Sequence, residues 1–249
     1  MIYKKSLFDR CFFIKVILFI FKLEGAKMNY IKFLLKHLLD LPKTVLINFR
    51  IFDFKQAIHL PILISRKVKV VEIHRGAMIV PDSARTFSIK IGIDGAYGVA
   101  HEQKGCMVLG KKSKMYFNGR ASISRGVLIR SFGNITFGND FYSNCNLSLI
   151  CNKNISFGDN CILGWNVHIR DCDGHPIFQN GKHINRSRDV SIGNHVWIGQ
   201  DVKILKGTII PTNSIIAMNS CITKKFSQTN TVIGGYPGKI IKENINWEA

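Results

Sequence analysis

Through the C-terminal half of this chain an aliphatic or aromatic residue returns at every sixth position, and no other feature limits its fold so tightly. The anchors are Phe117, Ile123, Ile129; Phe137, Ser143, Leu149; and Phe157, Leu163, Ile169, with Ser143 the one polar substitute. Corresponding anchors in these three sets lie twenty residues apart. The beat resumes at Ile192, Ile198, Ile204, Ile210, Ile216 and Ile222, two sets of eighteen. A period of six fits neither a helix nor a hairpin, which would alternate every second residue. It fits a coil of three short strands in which each hexad makes one side and one corner. Two places before the anchors stand small or β-branched residues such as Ala121, Cys161, Val167, Val196 and Val202, expected to fill the tight interior. One place after come Asn118, Gly138, Asn144, Gly158, Gly164, Gly193, Gly199 and Ala217, expected to turn the corners. Ile73 and Ile79 suggest an earlier coil, so five regular coils and one or two irregular ones are expected.

Between Ile169 and Ile192 the beat slips, and about twenty residues must leave the coil there. That stretch opens with Asp171-Cys172-Asp173-Gly174-His175-Pro176-Ile177. A histidine on a loop held by a rigid repeat is well placed for chemistry. Imidazole as a residue type titrates near neutrality and is suited to take up a proton. His175 is the candidate general base. The plainer reading is a solvated loop histidine, with Asp171 and Asp173 as turn formers beside Gly174.

The formal net charge of +19 directs attention to nucleic acid, an anionic membrane surface, an acidic polymer or a phosphorylated cofactor. Zinc-finger spacing, an aromatic RNA-binding signature and a basic heptad helix are all missing from the sequence, which argues against nucleic acid. A solvated basic surface is the plain alternative. The seven cysteines (Cys11, Cys106, Cys145, Cys151, Cys161, Cys172, Cys221) are odd in number and form no Cys-x-x-Cys pair. Neither a disulfide framework nor a zinc site is expected, and the pattern fits a reducing cytoplasm.

Ahead of the coil, Lys4, Lys5 and Arg10 precede an apolar run from Cys11 to Phe21 that contains Lys15. The run is shorter than the ~20 residues of a membrane span and lacks a small-x-small cleavage site. Residues 1–27 read as a basic, apolar helix lying on a membrane or on the rest of the protein, with Met28 an alternative start. Residues 29–41 space apolar positions as a helix does, with Asn29 as the expected N-cap and Pro42 as the stop. Short extended pieces are expected from Val45 to Val71, around Pro61. At the far end residues 231–239 break the beat, and Ile240 to Trp247 reads as a short helix capping the open coil edge. The expected domains are a helical and extended leader over 1–66, the coil over 67–230 with its active-site loop at about 170–190, and a cap over 231–249.

Four ordered signatures ride on this repeat: Gly174-His175-Pro176, Ile192-Gly193-Asn194-His195-Val196-Trp197-Ile198-Gly199, Thr223-Lys224 and Gly235-Tyr236-Pro237-Gly238-Lys239. Over roughly residues 115–245 the chain resembles the hexapeptide-repeat acyltransferases, nearest to the branch of galactoside, maltose and bacterial polysaccharide O-acetyltransferases. The resemblance implies an all-β fold, a left-handed parallel β-helix; the hand comes from the resemblance and not from the periodicity. It implies acetyl-CoA as donor, a sugar hydroxyl as acceptor, no metal, and a homotrimer with active sites between subunits. His175 matches the catalytic position, its ring to be oriented by Asp173, Asp171 or a backbone carbonyl. A backbone N–H near Gly199 or Gln200 would meet the oxyanion.

Other positions carry over one at a time. Asn144 matches an acceptor-contacting asparagine, and Asn152 stands where sugar acetyltransferases often have aspartate. Trp165, at a corner one coil before His175, is a candidate to stack on a sugar ring, with Asp171 beside it in the acceptor set. Trp197 matches the tryptophan beside the pantetheine arm, and the Met218 backbone a pantetheine contact. Thr223, Lys224, Lys239 and Lys242 match positions near the adenine and the 3′-phosphate. Lysine replaces arginine there, keeping the charge and losing the bidentate fork. His168 and His195 fall on outward positions and are expected to be exposed.

Two rivals come from other classes. A metal-dependent hydratase of the carbonic-anhydrase type shares such a coil and needs three converging zinc ligands. His168, His175, His183 and His195 are available without that family's closely spaced pair, and residues 235–239 go unexplained. A non-catalytic β-helix scaffold is opposed by the retained His175-Pro176 loop and the Trp197 signature. Among acetyltransferases, a small-molecule acceptor (galactoside, maltose or antibiotic) competes with a glycan. The leader, the basic charge and Asn152 favour a bacterial surface polysaccharide, capsule or O-antigen, or its precursor. That places the enzyme in the cytoplasm with peripheral membrane contact through residues 1–27.

Overall fold

The structure, a computed structural model, describes residues 33, 36–93, 95 and 103–248. The apolar run within 1–27 and the expected N-cap at Asn29 lie outside the described residues. Among those described, no helix is long and apolar enough to cross a membrane.

Each hexad makes a short strand and a corner, and three hexads close one coil. The first coil holds β1 (Ile62–Ile64), β2 (Val68–Glu72) and β3 (Met78–Ile79), so the coil takes up the chain ahead of residue 67. The second holds β4 (Ile89–Ile91), β5 (Gly105–Leu109) and β6 (Lys114–Phe117); the third β7 (Ala121–Ile123), β8 (Leu128–Ser131) and β9 (Asn134–Phe137). The fourth holds β10 (Phe141–Ser143), β11 (Ser148–Cys151) and β12 (Asn154–Phe157). The fifth holds β13 (Ile162–Leu163) and β14 (His168–Arg170), then a loop carrying β15 (Phe178–Gln179) and β16 (Lys182–His183), then β17 (Val190–Ile192). The sixth holds β18 (Trp197–Ile198), β19 (Lys203–Ile204) and β20 (Ile209–Ile210); the seventh β21 (Ile215–Ile216) and β22 (Cys221–Ile222). First, second and third strands of the coils stack into parallel sheets A, B and C of nine, seven and six strands, the count in sheet A including the terminal pair β23 and β24.

The anchors point inward and stack coil on coil. Phe117, Phe137 and Phe157 lie face to face with ring centroids 5.0 and 5.4 Å apart, and Phe141 meets the last two edge-on. The isoleucine anchors from Ile192 to Ile222 are buried in the same apolar column. Each such side chain withdrawn from water contributes roughly 1.5–3 kcal/mol.

The corner chemistry differs from expectation. The residue three places after an anchor turns the chain, with positive φ at Asp140, Asn146, Asn160, Asn166, His195, Asp201, Asn213 and Asn219. Asparagine and aspartate tolerate that left-handed region better than other L-residues. The glycines one place after the anchors serve close approach instead. A Cβ on Gly158 would stand 2.6 Å from the Asn194 nitrogen, and one on Gly199 2.8 Å from that of Met218.

Both ends of the coil are closed by the chain itself. Pro42 starts a helix rather than stopping one: α1 (Leu41–Ile51) has it in the first turn, where a missing N–H goes unused. A one-turn α2 (Phe54–Ala57) follows, so helices occupy the first part of the stretch expected to be extended, and only β1 and β2 beyond Pro61 meet that expectation. α1 lies along β1, and its buried Thr44 and Asn48 replace a neighbouring strand. Asn48 Nδ2 donates to the Ile62 carbonyl (2.7 Å), and Thr44 Oγ1 accepts the Ile64 N–H (3.1 Å). At the other end, Ile240 to Trp247 is not helical. β23 (Val232–Gly235) extends sheet A, and β24 (Gly238–Lys242) folds back antiparallel on it. An exposed strand edge is better satisfied by another strand than by a helix.

Candidate active site

The loop from Asp171 to Asp189 leaves the corner between sheets B and C in the fifth coil. Its base is fastened to the coil before it. The fully buried Asp171 accepts the N–H groups of Asn152 (2.7 Å) and Lys153 (2.6 Å) through its two carboxylate oxygens. Asp171 is therefore neither acceptor-binding nor an orienter of His175; it terminates the corner below. On the outgoing side Asp189 takes Lys153 Nζ (3.1 Å) and Asn154 Nδ2 (3.0 Å), while the Arg188 N–H donates to the Asp171 carbonyl (3.0 Å). The tip is exposed. β15 and β16 pair across Asn180-Gly181, both with positive φ, as a two-residue hairpin of type I′ requires.

His175 stands exposed on the incoming arm. Among the described residues, neither Asp171 nor Asp173 bonds its ring. Asp173 instead pairs with Lys206 of the sixth coil and accepts Asn185 Nδ2 (2.9 Å). The Lys206 ammonium, followed by Asn185, holds the Asp173 carboxyl below the usual carboxylate range. Asn185 also donates to the His175 carbonyl (2.8 Å). Sequence reading missed Asn185 and Lys206; the Asn180-Gly181 hairpin signal would have placed Asn185 back beside His175. Asn152 is exposed at the foot of the loop.

A second group gathers at the corner between sheets A and B. Asn144, Trp165, Gly199, Gln200 and Met218 fall there on successive coils. Asn144 Oδ1 accepts the Tyr142 hydroxyl (3.2 Å). Trp165 is half-buried, and its Nε1 is buried without a partner. The Gly199 N–H is spent on the Ile216 carbonyl (2.8 Å), so it cannot receive an oxyanion. The Gln200 N–H makes no bond to the described residues. Met218 is 61% exposed. Trp197 lies on the outer face of sheet A, in register with Ile215, Val232 and Lys242 on the strands that follow. At about 4.8 Å per strand that column runs roughly 14 Å.

The terminal hairpin carries exposed Lys239 and Lys242. Gly238 packs on Ile222 and the Cys221 carbonyl, which brings the hairpin over the last coil toward Thr223 and Lys224. Lys224 Nζ lies 5.3 Å above the Phe226 ring. His195 is not exposed as expected. Trp247 stacks on it at 4.0 Å and 4°, and Asn213 Oδ1 sits 2.8 Å from its Nδ1. Burial pushes the thiols of Cys151 and Cys161 up to about 12 and about 11. Among the described residues no cluster of three His, Cys, Asp or Glu could hold a metal ion.

The histidine loop and the corner carrying Gln200 thus border opposite edges of sheet B. Roughly 15 Å of strand separates them at 3.3 Å per residue.

Searches against known proteins fit this architecture. No family model matches the chain. It is 44% identical over 95 residues to a polysialic acid O-acetyltransferase of Neisseria meningitidis, covering 37% of this chain and 44% of that protein. It is 30% identical over 147 residues to the "Putative lipopolysaccharide biosynthesis O-acetyl transferase" of Escherichia coli (strain K12), covering 46% of this chain and 74% of that protein. Its fold matches the crystal structure of the polySia specific acetyltransferase NeuO with TM-score 0.56 at 21% identity, over 76% of this chain and 84% of that one. The chain belongs to the hexapeptide-repeat acetyltransferase family, and its coil is the left-handed parallel β-helix. It spans about half the length of the curated relatives it matches first.

Proposed function

We propose that this protein is an acetyl-CoA-dependent O-acetyltransferase with His175 as general base. Its acceptor is a sugar hydroxyl of a bacterial surface polysaccharide, capsule or O-antigen, or of its precursor. The observation that carries the reading is the exposed histidine loop, fastened at its base to a rigid coil, in a chain whose relatives are named as polysialic acid and lipopolysaccharide O-acetyltransferases. In the reaction the acceptor oxygen attacks the thioester carbonyl and its proton passes to His175. The tetrahedral oxyanion collapses, expelling coenzyme A as thiolate, which the imidazolium reprotonates. General-base assistance of this kind is worth typically ~10²–10⁴ in rate.

A single chain sets its two halves about a sheet's width apart, and this favours a homotrimer in which the His175 loop of one subunit faces the Gln200 corner of the next. The Gln200 N–H is the donor for the oxyanion, since that of Gly199 is engaged. Coenzyme A runs along the Trp197 column of sheet A past Met218, with its phosphates near Lys239, Lys242, Thr223 and Lys224. Asn144, Asn152 and Trp165 border the acceptor. Asp173 acts on the loop and not on the imidazole ring. The enzyme works in the cytoplasm, where acetyl-CoA is made, with residues 1–27 as a peripheral membrane contact.

The test is thiol release from acetyl-CoA by the purified protein against acidic glycans, neutral glycans, galactosides and maltose. Acceptor-dependent release is expected with a glycan. Replacing Lys239 or Lys242 by Met is expected to raise the apparent KM for acetyl-CoA several-fold each, at about 1 kcal/mol for a lost phosphate contact at an exposed site. An effect on the acceptor KM alone would refute their placement, and no release with any acceptor would leave the scaffold reading.

A further inference from the structure

We propose that Asn185 is the positioning residue of the active-site loop, setting His175 through the backbone. The inference rests on the reading of His175 as the base. Because no described residue holds the His175 ring, its placement must come from the chain on either side. Asn185 grips that chain at alternate residues. Its Nδ2 donates to Asp173 Oδ2 (2.9 Å) and to the His175 carbonyl (2.8 Å), and its Oδ1 accepts the Ile177 N–H (2.6 Å). Both carboxamide protons are used, and Oδ1 also faces His183 Nε2 at 3.0 Å. Pro176 offers no N–H, so the amide of Ile177 is the first donor past the histidine.

The grip is tied to the scaffold. Lys206 Nζ bonds the Asn185 carbonyl (3.0 Å) and the Asp173 carboxylate together, from a corner of the sixth coil where its side chain is 14% exposed. Asn185, Asp173 and Lys206 form one anchor, and His175 hangs from its middle. Aspartate at 185 could not donate to the His175 carbonyl and would set a second carboxylate against Asp173. Only a carboxamide of this reach meets all the partners.

A misplacement of about 1 Å in a catalytic group can cost ~10²-fold in rate. Asn185→Ala is therefore expected to lower kcat ~10–100-fold with the KM for acetyl-CoA within about two-fold. Amide hydrogen exchange at Ile177 should quicken in the same variant, a readout that needs no turnover. In a His175→Ala background the second substitution is expected to add nothing, because it acts through that histidine. Lys206→Met, which unties the same anchor from outside the loop, should give a smaller loss confined to kcat, and serves if Asn185→Ala folds poorly. An active parent whose kcat ignores both variants, or an equal loss in the His175→Ala background, overturns the positioning role and leaves acetyl transfer standing. A parent that transfers no acetyl group sinks both.

Discussion

The corner between sheets A and B and the corner between sheets B and C come from hexads of the same pattern, yet the first is sealed and the second is opened. At the sealed corner the turning residues bond side chain to side chain from coil to coil: Asn146 to Asn166 at 2.8 Å and Asn166 to Asp201 at 2.9 Å. At the opened corner the fifth coil releases its loop, and a side chain takes over the work of the missing turn. Asp171 caps the amides of residues 152 and 153, and Asp189 holds Lys153 and Asn154. A rigid repeat can therefore give up one corner to function, provided a buried carboxylate closes the gap. Stability should depend on the base of the loop and chemistry on its incoming arm.

His175→Ala breaks that comparison most sharply. The imidazole is exposed and unheld, so the melting temperature should stay within about 1 °C of the parent. Turnover should fall at least ~100-fold. Calorimetry and thiol release on the same preparation check both halves, and unchanged turnover would remove the proposed base.

Asp171→Ala should do the reverse. Two part-buried amides would lose a charged acceptor worth roughly 1.5–3 kcal/mol each, so the fold should weaken by at least about 3 kcal/mol. In a chain of this size that lowers the melting temperature by at least about 6 °C. Asp171→Asn, which keeps one acceptor oxygen, should fall between. A melting temperature unmoved in Asp171→Ala would mean that the loop base does not seal the coil.

The coil was legible in the sequence because stacking imposes one requirement at every sixth position, and isoleucine meets it repeatedly from Ile192 to Ile222. The glycines were also visible, but not their reason: the lack of a Cβ at Gly158 and Gly199 serves contact between coils, a relation no single hexad displays. Pro42 was misread because proline fits a helix's first turn as well as its end, and only the pairing of Thr44 and Asn48 with β1 decides between them. The C-terminal strand was missed for a similar cause, since β24 exists to satisfy the edge that β23 exposes. His175 could be picked from its loop, whereas Asp171 and Asn185 act on backbone groups of other segments. Sequence spacing carries no record of such partners.

The smallest effect belongs to the sealed corner and separates its two ingredients. Asn166 has φ +56, donates to Asp201 and accepts from Asn146. Asn166→Gly removes the side-chain bonds but adopts that φ freely, and should cost only a few tenths of a kcal/mol beyond the bonds themselves. Asn166→Ala removes the same bonds but keeps a Cβ in the left-handed region without the carboxamide that makes it tolerable there, at a cost of roughly 1–2 kcal/mol relative to glycine. The alanine variant should therefore melt about 2–8 °C below the glycine variant, at about 2–4 °C per kcal/mol. Equal melting temperatures would show that the side-chain ladder holds the corner, and that asparagine stands there for its bonds and not for its tolerance of positive φ. A lower value for alanine alone would assign the sealed corner to backbone geometry, a property that the loop at the opened corner, with positive φ at Gly174 near its start and Gly181 at its tip, shares with it.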